Sequence, residues 1–182
     1  MKKMIFAALV AAIVSTAAPA MGAGVMNKPM GEKGHPERSA RRKERSDLPD
    51  AFTASRFAAD FPGATLVHWT QGRFTEAEFV EAGVSKTAYY DADHSLLGTT
   101  ENVGADQLPE KAFQVIRRQY PGYTIRGVVF FHDNTSNDTD MGLFNSAFPD
   151  EDNYFPFLQK GDREVILRVN PSGEVHFFEQ YH

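Results

Sequence analysis

The sequence predicts an α+β protein built as a tandem repeat, each copy one helix followed by about four antiparallel strands. Three observations predict it. A Leu-Pro-acid opening and an aromatic-Pro-Gly close occur twice: at Leu48-Pro49-Asp50 and Phe61-Pro62-Gly63, then at Leu108-Pro109-Glu110 and Tyr120-Pro121-Gly122. Each pair is followed by β-branched and aromatic runs broken by turn residues. The length, 182 residues of which 42% are hydrophobic, suits one domain or two small repeats. The chain has no cysteine, which excludes a disulfide framework, a thiolate zinc site, an iron-sulfur cluster and a Cys nucleophile.

The elements follow in order. Lys2 and Lys3, then eleven apolar residues at 4–14 and small residues at Ala18-Pro19-Ala20 or up to Ala23, read as a signal peptide over 1–23. The apolar run is shorter than the roughly 18 residues that a membrane anchor needs, so the expected product is periplasmic or secreted, with no membrane span after cleavage. Residues 24–47 form a basic arm, read as flexible because it has few large apolar side chains. From Lys28 to Asp47 there are seven Lys or Arg against four Asp or Glu, and from Leu48 onward ten against twenty. A net +3 arm thus leads into a net −10 domain. The arm suits contact with an anionic envelope component or service as a solvated spacer. Nucleic acid is not an expected partner of so acidic an exported domain.

The domain spans 48–182, with repeat 1 at about 48–104 and repeat 2 at about 105–182. Pro in a first turn, an acid beside it and Pro-Gly at the close frame each helix. Ala54, Phe57, Ala58 and Phe61 share one face of the first helix, and Phe113, Ile116 and Tyr120 share one of the second. Strands are expected at 65–70, 74–81, 84–90 and 96–103, then at 124–132, 154–158, 164–169 and 174–181. The aromatic-Pro-Gly signals lie 59 residues apart, but the turns before the last strands lie 79 apart. Repeat 2 therefore carries about twenty extra residues, placed at 133–153. That acidic insertion, interrupted by Met141, Leu143, Phe144 and Phe148, either binds something or folds back over its own sheet. Covering is the preferred expectation.

These signals resemble the PepSY-like, beta-lactamase-inhibitor-like proteins exported by Bacteroidetes. The resemblance rests on Phe61-Pro62-Gly63-Ala64 and Tyr120-Pro121-Gly122-Tyr123, on Val67-His68-Trp69, on Tyr89-Tyr90-Asp91 before a turn, and on Leu108-Pro109. It covers roughly Leu48 to Tyr181. His94 stands where such proteins usually carry Gly, and the acidic insertion is a second departure. The resemblance implies helices packed on one face of the sheet, an open second face and no enzymatic activity.

The residues themselves show no G-x-S-x-G elbow, P-loop, dinucleotide fingerprint or H-E-x-x-H. His68, His132 and His176 fall on expected strands, yet no pair has ligand spacing. Glu76 and Glu78 share a strand face and read as an acidic row. No cofactor is implied, with calcium as the one candidate: the insertion is rich in oxygen ligands, and Asp133, Asp138 and Asp140 are the expected metal residues. It is not an EF-hand, because counting from Asp138 places Gly142 at position 5 and Pro149 at position 12. Alternation along a strand turns one ring of each adjacent aromatic pair away from the helices. Trp69, Tyr89, Phe130 and Phe178 are the expected contacts with a protein partner. The function expected is that of a non-catalytic binding or inhibitor-like module in the cell envelope, engaging a protein through its open sheet face. The alternative is a calcium-binding envelope sensor or chaperone-like protein that uses the insertion.

Overall fold

The structure, a computed structural model, describes residues 48–181. The expected signal peptide and basic arm lie outside the described residues. Helix α1 spans Ala51–Asp60, β1 Thr65–Gln71, β2 Thr75–Glu81, β3 Val84–Tyr90 and β4 Leu96–Val103. After a 3-10 turn at Ala105–Gln107 come α2 at Glu110–Gln119, β5 at Thr124–Asp133, β6 at Gly142–Leu143 and β7 at Ser146–Ala147. The chain ends with β8 at Asn153–Lys160, β9 at Arg163–Val169 and β10 at Val175–Tyr181. Eight strands form one antiparallel sheet in the order β1-β2-β3-β4-β5-β8-β9-β10, and β6 pairs with β7 alone. The expected helix-plus-four-strand order is present in both halves, and the repeats join edge to edge where β4 pairs with β5.

Helix α1 starts where it does because Asp50 caps it. The Asp50 Oδ1 accepts the backbone N–H of Phe52 at 2.8 Å and of Thr53 at 3.1 Å, and the Thr53 hydroxyl donates to Oδ2 at 2.7 Å. These bonds to the ionised form hold the Asp50 carboxyl down at about 2. The side chain that α1 buries at its start is Thr53, while Ala58 of the expected stripe is exposed. His94 occupies the left-handed region at φ 61°, where a side chain is disfavoured. Its ring answers that cost: Nδ1 lies 2.9 Å from the Thr53 hydroxyl and 3.1 Å from Asp50, and the ring stacks on Phe52. His94 thus ties the β3–β4 turn to the start of α1.

Both helices pack on one face of the sheet. Under α1, Phe57 meets Phe79 and Trp69 edge-on, each with centroids 5.1 Å apart, and the fully buried Ala77 and Ala88 leave room for these rings. Tyr90 is buried there too, and its hydroxyl donates to Asp60 at 3.0 Å. Under α2, Leu108, Ala112 and Ile116 pack on Val128, Leu158, Val165, Leu167 and Val169.

The insertion forms a third layer. Met141, Leu143 and Phe148 are buried against Tyr89, Leu97, Phe131, Phe155 and Ile166 on the opposite, outer face. Phe144 and Asn145, both at positive φ, make the two-residue turn between β6 and β7. The Phe144 ring packs edge-on to Phe155, Phe157 and Phe178. Polar bonds fix the layer's rim: the Asn134 side-chain amide donates to the Leu96 carbonyl at 2.7 Å, that of Asn137 to Asp91 at 3.1 Å, and the Ser146 hydroxyl to Glu179 at 3.2 Å. Gly98 lies beneath, where the Phe131 ring and the His132 carbonyl leave no space for a Cβ.

Two outcomes are expected. Phe148→Ala removes a ring wedged between Phe131 and Phe155 and should cost about 3–5 kcal/mol in urea unfolding followed by Trp69 emission. A cost near zero would show that the insertion is not core. Because the folded pKa of Asp50 lies below its ordinary value, its contribution is present above about pH 4 and fades as pH falls through about 2. Asp50→Asn should flatten the fall of the urea midpoint over that window.

Candidate functional site

The insertion covers the outer face over the second repeat and stops at the first. Strand alternation explains what it leaves uncovered. On β2, Ala77 and Phe79 turn to α1, so Glu76, Glu78 and Val80 turn outward. Register carries the outward row across the sheet: Thr70, Glu76 and Tyr89 are aligned neighbours, as are His68, Glu78 and Thr87, with Thr100 next to Thr87. His68, Thr70 and Glu78 are exposed, and Glu76 and Thr87 are half-buried. This is a field of hydroxyl, imidazole and carboxylate groups on β1–β3.

Its margin with the insertion is built from Tyr89, Phe74 and Arg73. The Tyr89 hydroxyl lies 3.2 Å from that of Thr100, and burial pushes the phenol up to about 12, with Glu76 and Glu78 adding to the shift. The Arg73 guanidinium sits 5.1 Å above the Phe74 ring and against Gly142 of the insertion. Glu76 is raised above its ordinary value, first by burial and then by the neighbouring Glu78 charge. Among the described residues neither glutamate has an ion-pair partner. Such a surface can exchange hydrogen bonds with a polar protein surface and can attract cationic groups to its carboxylates.

The four aromatic residues expected as contacts do not come together. Trp69 is half-buried on the helix face of the edge strand β1, against Phe57. Phe130 is on the helix face of β5, its ring tilted against that of Tyr154 with centroids 4.6 Å apart. Tyr89 and Phe178 are on the outer side, the first buried and the second half-buried with Phe144, Phe148 and Phe155 around it. The expected metal residues are also apart. Asp133 is buried at the end of β5, close to Asp150 and Asp152, whereas Asp138 and Asp140 are exposed farther along the insertion. Among the described residues no three His, Asp or Glu side chains are gathered as a metal ion requires. His68, His132 and His176 lie on β1, β5 and β10, spread across the sheet. Sequence reasoning missed Thr70 and Thr87 on the open field and the buried Thr100 at its margin, although strand alternation on β1, β3 and β4 was the signal for them.

The raised pKa of Glu76 has a measurable consequence. The folded state holds this proton more tightly than the unfolded chain, so the contribution is present below about 4.5 and is lost as pH rises through the folded value. Glu76→Gln should therefore show a smaller drop in urea midpoint between about pH 4 and pH 7 than the unsubstituted chain. An identical drop in both would contradict the burial-plus-repulsion account.

Comparison with solved structures shows the fold. The chain is similar to a BLIP-like protein from Bacteroides fragilis (TM-score 0.55, 18% identity), with 73% of this chain and 86% of that one covered. It is also similar to a DUF2874 family protein from Bacteroides uniformis (TM-score 0.60, 12% identity, 73% and 90% covered). A third, from Bacteroides eggerthii and provisionally assigned to the periplasm, matches with TM-score 0.59, 14% identity, and 73% and 88% covered. No protein-family model and no functionally curated protein matches the chain. The two helices and the eight-stranded antiparallel sheet are thus those of the BLIP-like fold, as the paired aromatic-Pro-Gly signals implied.

Proposed function

We propose that this chain is a non-catalytic module of the bacterial periplasm that engages a protein partner through the uncovered half of its outer sheet face. The observation that carries this reading is the contrast within one surface: over repeat 2 the outer face is closed by the insertion, and over repeat 1 it presents His68, Thr70, Glu76, Glu78 and Thr87. The provisional periplasmic assignment of one structural neighbour and the signal peptide expected from the sequence support the location. Among the described residues no helix is long and apolar enough to cross a membrane.

Size narrows the contact. Three strands of seven residues span about 14 by 24 Å, under half of the roughly 800 Å² per partner in a standard interface. A stable partner therefore also takes in the margin at Arg73, Phe74 and Gly142. Of the four aromatic contacts expected, Tyr89 borders this field, and Trp69, Phe130 and Phe178 lie elsewhere. The reading thus rests on the polar strands and not on an aromatic patch.

The test is in vivo crosslinking in the native envelope followed by purification of the tagged chain. A near-stoichiometric protein should be recovered, kept by Phe52→Ser near the start of α1 and lost by Thr70→Arg or Glu78→Lys, with each variant shown folded by circular dichroism. Recovery that survives both outer-face substitutions, or no stoichiometric protein from a folded and exported chain, would overturn the proposal.

A further inference from the structure

At the end of the sheet where β5 stops and β8 begins, carboxylates crowd a cavity of about 640 Å³ lined by His132, Asp133, Asp150, Glu151, Asp152 and Pro171. Two of them are already matched. Glu151 pairs with Arg168 at 3.2 Å, and Asp152 lies 3.2 Å from the His132 Nδ1 while accepting the Asp133 backbone N–H at 2.8 Å. Asp133 and Asp150 face each other with no cation paired to either among the described residues. Asp133 is only 8% exposed, and its Oδ1 has no hydrogen-bond partner. A buried carboxyl oxygen without a donor costs free energy that an incoming cation or donor removes.

We propose that this pocket is a site for a guanidinium or ammonium side chain, and that its occupant is the chain's own basic segment at residues 38–45. That segment holds Arg38, Arg41, Arg42, Lys43 and Arg45 against the single acid Glu44. Arginine suits the pocket because its planar fork can bond two carboxyl oxygens at once. The segment is also attached at the right end of the sheet. The Leu48 carbonyl accepts the Gln71 side-chain amide at 3.4 Å, and Gln71 aligns through Thr75 with Tyr90 and Leu96. The same end continues through Gly98 to Asp133. From β1 to β5 is four strand spacings, about 19 Å. Arg41 and Arg42 are seven and six residues from Leu48, a reach of about 20–25 Å when extended. The pocket is therefore within reach of the most basic part of the segment.

The test uses the absence of native cysteine. A nitroxide on Ser39→Cys of the full chain should selectively attenuate the amide NMR signals of Asn134, Thr135, Glu151 and Asp152. The attenuation should be lost in about 0.5 M salt, where the Debye length is only a few ångströms, and lost on combining Arg41→Gln with Arg42→Gln, which leaves the pocket untouched. The spectrum of the reduced label checks the fold. No selective attenuation, or attenuation centred on the β2 amides beside Glu76 and Glu78, would overturn the proposal. So would attenuation that appears equally when isotope-labelled, spin-free chain is mixed with unlabelled, spin-bearing chain, since the occupant would then be a second copy.

Discussion

Strand alternation governs this molecule more than any single contact. Each strand of an antiparallel sheet offers successive side chains to opposite faces, so Phe130-Phe131 and Tyr154-Phe155 each send one ring to each side. Helices α1 and α2 lie on one side only. The rings sent the other way, Phe131 and Phe155 among them, would face water unless another layer covered them. Each such ring is worth about 1.5–3 kcal/mol when buried, so the uncovered sheet would forfeit a large share of a domain's marginal stability. The insertion answers that requirement, and its position in repeat 2 follows from where those rings are.

The same rule explains why repeat 1 has no such cover. Its outward residues on β2 are Glu76, Glu78 and Val80, and on β1 and β3 they are mostly Thr, Ser and His. These groups stay hydrated at little cost, and nothing is gained by closing them off. Tyr89 is the exception. It is the outward aromatic ring of β3, and it is buried in the cluster beneath the insertion. The boundary between the covered and open halves of the outer face thus runs along the last outward aromatic side chain.

Much of the fold was legible before any coordinates. The Leu-Pro-acid and aromatic-Pro-Gly frames act locally, through capping and proline geometry, and they bracket both helices, although Pro49 and Pro109 lie just before the first turn and not in it. The eight strands of the main sheet were legible from β-branched and aromatic runs broken by turn residues, which also act locally. The four expected contact residues were less so, because hydrophobic size in the sequence does not say which face a ring takes. Trp69 and Phe130 went to the helix side by register alone. Asp133 was singled out, but with Asp138 and Asp140. Its neighbours in space are Asp150 and Asp152, brought back only by the closure of the insertion onto β8. A nineteen-residue separation between Asp133 and Asp152 leaves no local signature.

That closure accounts for the acidity at the neck of the insertion. A covering layer must start and end beside the sheet, and the backbone there leaves the ladder with unpaired donors. The Asp152 carboxylate accepts the Asp133 N–H, and the Asn153 side-chain amide donates to the Glu151 carbonyl at 2.8 Å. Short acidic and amide side chains are the ones suited to such local bonds with the main chain. Concentrating them at one neck has an electrostatic consequence, however. Burial, a carboxyl–carboxyl hydrogen bond with Asp150 and the Asp150 and Asp152 charges push the Asp133 carboxyl up to about 6. The geometry that seals the apolar layer therefore also sets the buried Asp133 carboxyl against the half-buried Asp150 with no cation paired to either among the described residues, at the end of the sheet where Leu48 lies.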